Sequence, residues 1–106
     1  MDTLDAIVAR EVADYAHAEG YKDTSYYLED REKHVFSVVV VPDADHPLLK
    51  APRVMLLVRL DEDQVLIETD TTDKPLLEEL IRAGVPREKI TVRLAENAAT
   101  TLSNIS

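Results

Sequence analysis

Three stretches of this 106-residue chain hold side chains that could do chemistry. Asp43-Ala44-Asp45-His46 puts potential metal ligands into one loop, and Asp61-Glu62-Asp63 is a run of carboxylates. Glu68, Asp70, Asp73, Glu78 and Glu79 gather around a Thr71-Thr72 turn. A calcium loop of the EF-hand kind needs a glycine at its sixth position and a closing glutamate. The first stretch runs instead into Pro47-Leu48, and the second lacks the glycine. Both read as solvated turns. His17, His34 and His46 have no partner at the four-residue spacing of a helical zinc motif. The chain has two glycines, Gly20 and Gly84, so it has neither a nucleophile elbow nor a phosphate-cradling loop. Cysteine is absent, which removes thiol nucleophiles, thiolate metal sites and disulfides. A common magnesium-nuclease pattern places a lysine two residues after an acid. Here the residues two before each lysine are Gly20, Arg31, Leu48, Thr72 and Arg87. No catalytic residue, cofactor site or metal site is assigned.

The acidic group at 68–79 stays open to three readings. Acids at a helix start suit its dipole. The same acids could dock a basic protein partner. A third reading is metal-dependent hydrolysis at the Asp70–Asp73 turn.

Charge narrows the choice. Acids outnumber bases 21 to 12, for a net charge of −9. Nucleic-acid binders present a basic surface to the phosphates, so autonomous binding to nucleic acid is not expected. A basic protein partner is the sharper expectation. The start, MDTLDAIVARE, is acidic where an export signal is basic, and apolar runs such as Val38 to Val41 are too short to span a membrane. With no cysteine, a reducing cytoplasm is the expected location.

The elements that must position these residues follow from periodicity. Residues 2–19 form an amphipathic helix on Leu4, Ile7, Val8, Val12, Tyr15 and Ala16. Asp2 or Thr3 would cap it and Gly20 would end it. Strands are expected at 26–29, 34–41, 53–60, 64–69 and 90–94. A short helix is expected to bury Leu76, Leu77, Leu80 and Ile81 on one face, with Thr71-Thr72-Asp73 as N-cap candidates, Pro75 in its first turn and Gly84-Val85-Pro86 as its break. The order α-β-β-β-β-α-β implies one α+β domain over 1–95, a mostly antiparallel sheet packed against two helices. The polar tail 96–106 is expected to fray.

The strands alternate poorly. Val54, Leu56, Val58 and Leu60 load one face, while Met55, Leu57 and Leu66 load the other. Helices on one side leave the second face apolar. A homodimer through Met55, Leu57 and Leu66 is one way to cover it. Cover by the first helix, the 43–52 loop and the tail is another.

Strand, acidic-threonine turn, short helix, Gly-Val-Pro break and strand occur in that order from Gln64 to Leu94. The residues Val65, Ile67, Asp70, Thr71, Leu80, Gly84, Val85, Pro86, Lys89, Ile90, Val92 and Leu94 resemble the pattern of the XisI-like family. The start Met1-Asp2-x-Leu4 is also similar. The chain departs from it with Leu66 and Glu68, where members often have Trp and Gln, and with Thr72 where they often have Glu. The resemblance implies an excision controlling factor: a non-enzymatic accessory that regulates excision of a DNA element by binding protein partners, an XisH-like protein and a recombinase. A close variant is an inhibitor of an XisH-like nuclease. The family brings no catalytic residues.

Overall fold

The computed structural model describes residues 3–17 and 22–93. Helix α1 spans Leu4–Asp14 and closes with a 3-10 turn, Tyr15–His17. Strands β1 (Asp23–Asp30), β2 (Val35–Pro42), β3 (Arg53–Asp61) and β4 (Gln64–Asp70) follow. Helix α2 (Leu76–Arg82), a 3-10 turn at Arg87–Lys89 and strand β5 (Ile90–Val92) complete the order. The strands lie in sequence order, β1-β2-β3-β4-β5. Neighbours are antiparallel except β4 and β5, which are parallel. The parallel pair needs a crossover, and α2 supplies it.

One face of the sheet carries the core. Phe36, Val38, Leu56, Val58, Val65 and Ile67 pack there with Val8 and Val12 of α1 and Leu76 and Leu80 of α2. All ten are essentially inaccessible to solvent. Each such side chain contributes roughly 1.5–3 kcal/mol relative to exposure.

Both helix starts are set by oxygen acceptors. Thr3 caps α1, its hydroxyl accepting from the Ala6 N–H at 3.2 Å. The α2 cap differs from the expectation of Thr71, Thr72 or Asp73. Pro75 holds the N-cap position and offers no side-chain acceptor. Asp70 reaches across from the end of β4 instead, accepting from the Leu76 N–H at 2.8 Å. The end of α2 follows the sequence. Gly84 has φ +108° and donates to the Ile81 carbonyl at 3.0 Å, while Val85 donates to the Leu80 carbonyl at 2.9 Å. This paired 5→2 and 6→1 bonding satisfies two carbonyls at the helix end and folds buried Val85 back beside Leu80.

Three boundaries differ from expectation. The α-helical part of the first helix ends at Asp14, not near residue 19, with the Tyr15 hydroxyl donating to the Lys74 carbonyl at 2.5 Å. β1 extends to Asp23 because Val35–Pro42 offers it a full-length partner. His34, expected to open the second strand, sits in the preceding turn at φ 55°. Gly20, Leu94 and the tail 96–106 lie outside the described residues.

Candidate functional site

Two irregularities in strand pairing decide where the candidate side chains point. Val38 pairs with Leu56 and Val39 with Val54, so Met55 is an extra residue in β3. A bulge residue escapes strict alternation. Met55 therefore packs against the core on the helix side, and its carbonyl accepts from the Thr71 N–H and hydroxyl at 3.0 and 3.1 Å. The expected faces are thus rearranged: Leu57 and Leu66 face away from the helices, Met55 does not, and Val54, expected on the face of Leu56, turns with Val39 to the side away from the helices. The second shift lies in β4. Leu57 pairs with Thr69 and Val58 with Ile67, leaving Glu68 as the extra residue.

Glu68 turns to the face without helices. It accepts from Arg59 at 2.8 Å and from Arg93 at 2.6 Å. The hydrogen bonds from Arg93 and Arg59 hold its carboxyl below the usual glutamate range. Glu68 is therefore separated from the acids with which the sequence grouped it. Asp70 is committed locally. Its Oδ1 accepts from the Thr72 N–H at 2.9 Å and the Thr72 hydroxyl at 2.6 Å, and its Oδ2 takes the Leu76 N–H. Both oxygens serve to fold the turn, which leaves this carboxylate poorly placed for hydrolytic chemistry. Glu78 is exposed on α2.

Asp73 and Glu79 do come together, with companions the sequence grouping lacked. They line an open groove of about 440 Å³ with Glu11 and Asp14 of α1, and with Tyr15, Arg53, Met55 and the 71–74 turn. Acids outnumber bases there, Glu11, Asp14, Asp73 and Glu79 against Arg53 and Lys74. Glu79 is bonded to Arg82 at 2.6 Å and lies 3.8 Å from Lys74. Asp14 and Asp73 form no ion pair with any described residue and are exposed. Tyr15 forms part of the wall. Burial raises its phenol above the ordinary value of 10.0, and Asp70 and Glu79 add to the shift. Glu11 and Asp14 lie off the apolar stripe of the first helix. Their meeting with Asp73 depends on α1 packing against α2 and β2, which residue spacing does not encode.

The other candidates resolve into local structure. His46 Nδ1 accepts from the Leu48 and Leu49 N–H groups at 3.1 and 2.7 Å, so it shapes the 43–52 loop. His34 contacts Asp5 at 3.1 Å. Among the described residues, no three His, Cys, Asp or Glu side chains are grouped to hold a metal ion. No described helix is long and apolar enough to cross a membrane.

A sheet of this order, with helices on one face, defines an α+β protein whose acidic groove opens beside the helix layer. The chain belongs to the XisI family, whose model, described as XisI protein, matches residues 1–105. Two solved structures share the fold. One is an XisI-like protein from Anabaena variabilis ATCC 29413, 21% identical, with a TM-score of 0.70 over 82% of this chain and 80% of that one. The other is the fdxN element excision controlling factor XisI from Anabaena variabilis ATCC 29413, 14% identical, with a TM-score of 0.53 over 81% of this chain and 79% of that one. No curated protein matches.

Proposed function

We propose that this chain is a non-enzymatic accessory factor in the control of DNA-element excision, and that it acts by binding a basic protein partner. Family membership and the likeness to a protein described as an excision controlling factor support the first half. The observation that carries the second half is the groove, where Glu11, Asp14, Asp73 and Glu79 converge from elements far apart in sequence. Asp14 and Asp73 are exposed there and form no ion pair with a described residue, so a partner's lysine or arginine meets free carboxylates. Such charges steer encounter and select partners more than they stabilise the free chain. The partner is an XisH-like protein, with regulation of a recombinase as the downstream effect. The chain itself does not bind DNA, because its acids would repel the phosphates.

The test is a binding titration of the XisH-like protein against the wild-type chain and a Glu11→Gln, Asp14→Asn, Asp73→Asn variant. The variant should bind at least about tenfold more weakly, about 1.4 kcal/mol, while keeping its fold. The wild-type association rate should fall with salt. Equal binding by both proteins would remove the groove from the interface. Tight, salt-sensitive binding of duplex DNA by the isolated chain would overturn the reading as a whole.

A further inference from the structure

We propose that the face of the sheet opposite the helices is a homodimer interface, with a second copy of this chain as its occupant. Pairing register places Tyr26 beside Val39 and Val39 beside Val54, all pointing away from the helices. Leu57 and Leu66 continue this surface across β3 and β4. Tyr26 is 50% exposed, Leu28 53% and Val54 44%. These are three of the five large apolar side chains that the described residues expose, so the exposure is concentrated on one face. Contiguous apolar patches of this kind mark interaction surfaces.

Area, charge and symmetry point to a second copy. Strands β1 to β4, about 4.8 Å apart and about 26 Å long, outline roughly 500 Å². Two copies stacked face to face would bury on the order of 1,000 Å², the lower bound for a specific interface. The chain carries a net charge of −9, so two copies repel unless they meet through their least acidic surface. On this face the interior strand positions hold one acid, Glu68, and it already sits between Arg59 and Arg93. Asp30 and Asp61 end their strands on the same side and stay at its wet rim, so drying the interior leaves no carboxylate without a partner. A basic heterologous partner would find its match on the helix side, not here. Stacked sheets pack about 10 Å apart with strands inclined by about 30°, and a two-fold arrangement lets Tyr26 and Leu28 of each copy lie over the other copy's sheet. This inference does not depend on the groove having a partner.

Sedimentation of the full chain at about 50 µM should give the mass of a dimer. Tyr26→Glu with Val54→Glu should give a folded monomer, because both sites are half exposed in the single chain and tolerate a charge there. The dimer dissociation constant should rise by at least about 100-fold. Ile81→Glu, on the exposed side of α2, should stay dimeric. Nitration of Tyr26 in the wild-type chain, mapped by mass spectrometry, needs no variant. It should slow as concentration rises through the dimerisation midpoint. A monomeric wild type, a dimer that survives the double substitution, or Tyr26 nitration indifferent to a doubling of mass would each overturn the assignment.

Discussion

Val38 and Val39 are neighbours in β2 and belong to different surfaces. Val38 is sealed beneath α1, whereas Val39 sits beside half-exposed Tyr26 and Val54 with neither α1 nor α2 over it. The same contrast runs through the sheet. The helix side buries its apolar residues within the chain and keeps its free acids at the groove rim. The open side leaves apolar residues accessible and neutralises its central acid, Glu68, internally through Arg59 and Arg93. One sheet thus separates a side with a sealed core and an acidic rim from a side whose apolar residues stay accessible. The two faces should respond differently to the same perturbation.

The largest expected difference comes from truncating matched side chains. Phe36→Ala removes a fully buried ring from the helix side and should cost about 3–5 kcal/mol in urea unfolding. Leu57→Ala on the open face should cost the single chain about 1 kcal/mol, because little around it collapses. Measured in the monomeric Tyr26→Glu, Val54→Glu background, equal costs would mean that the open face is covered within one chain.

Asp70→Ala comes next. It removes the acceptor for the Leu76 N–H and for both Thr72 donors, and should destabilise by about 1–2 kcal/mol. Thr71→Val should cost less, since the Thr71 N–H keeps its bond to the Met55 carbonyl. A metal-binding isotherm lost on Asp70→Asn would show instead that this carboxylate is a ligand.

Gly84→Val should cost about 1 kcal/mol or more, measured by thermal unfolding. A Cβ built at Gly84 meets nothing within 4 Å, so the cost comes from φ +108° and not from crowding. Gly84→Ala should cost nearly as much for the same reason. A marked gap between the two variants would point to packing.

The smallest effect is on acid stability, and it belongs to the open face. The Glu68 pKa is lowered in the folded chain by Arg93 and Arg59. Its contribution is therefore present above the unfolded glutamate value of 4.5 and is lost as pH falls through the lower folded value. Glu68→Gln should flatten the acid limb of the stability profile below about pH 4.5. An unchanged limb would show that the two arginines do not hold it.

These contrasts also mark what could be read before the structure. The element order, Leu76 and Leu80 in the α2 core and the Gly84 break were legible, because alternation, helical spacing and a left-handed helix end each leave a local pattern; Ile81, expected on the buried face of α2, is instead 43% exposed, because the seven-residue helix turns only a narrow stripe to the sheet. The bulges were not. An extra residue in one strand can be recognised only against its partner, so Met55 read as a second-face residue and Glu68 as a member of the acidic turn. The Asp70 cap was missed because the usual cap lies within three residues of the helix, whereas Asp70 acts from six away. Half of the groove was visible as Asp73 and Glu79. The other half, Glu11 and Asp14, arrives through tertiary packing of α1.

The two-surface division is tested most directly by sedimentation of this chain mixed with the XisH-like protein, comparing the groove variant with the open-face variant. The expected result is reciprocal. Glu11→Gln, Asp14→Asn, Asp73→Asn should lose the mixed complex and remain a dimer, whereas Tyr26→Glu with Val54→Glu should become a monomer that still binds. A groove variant that binds the partner as tightly as the wild type, with the open-face variant losing it, would contradict the division.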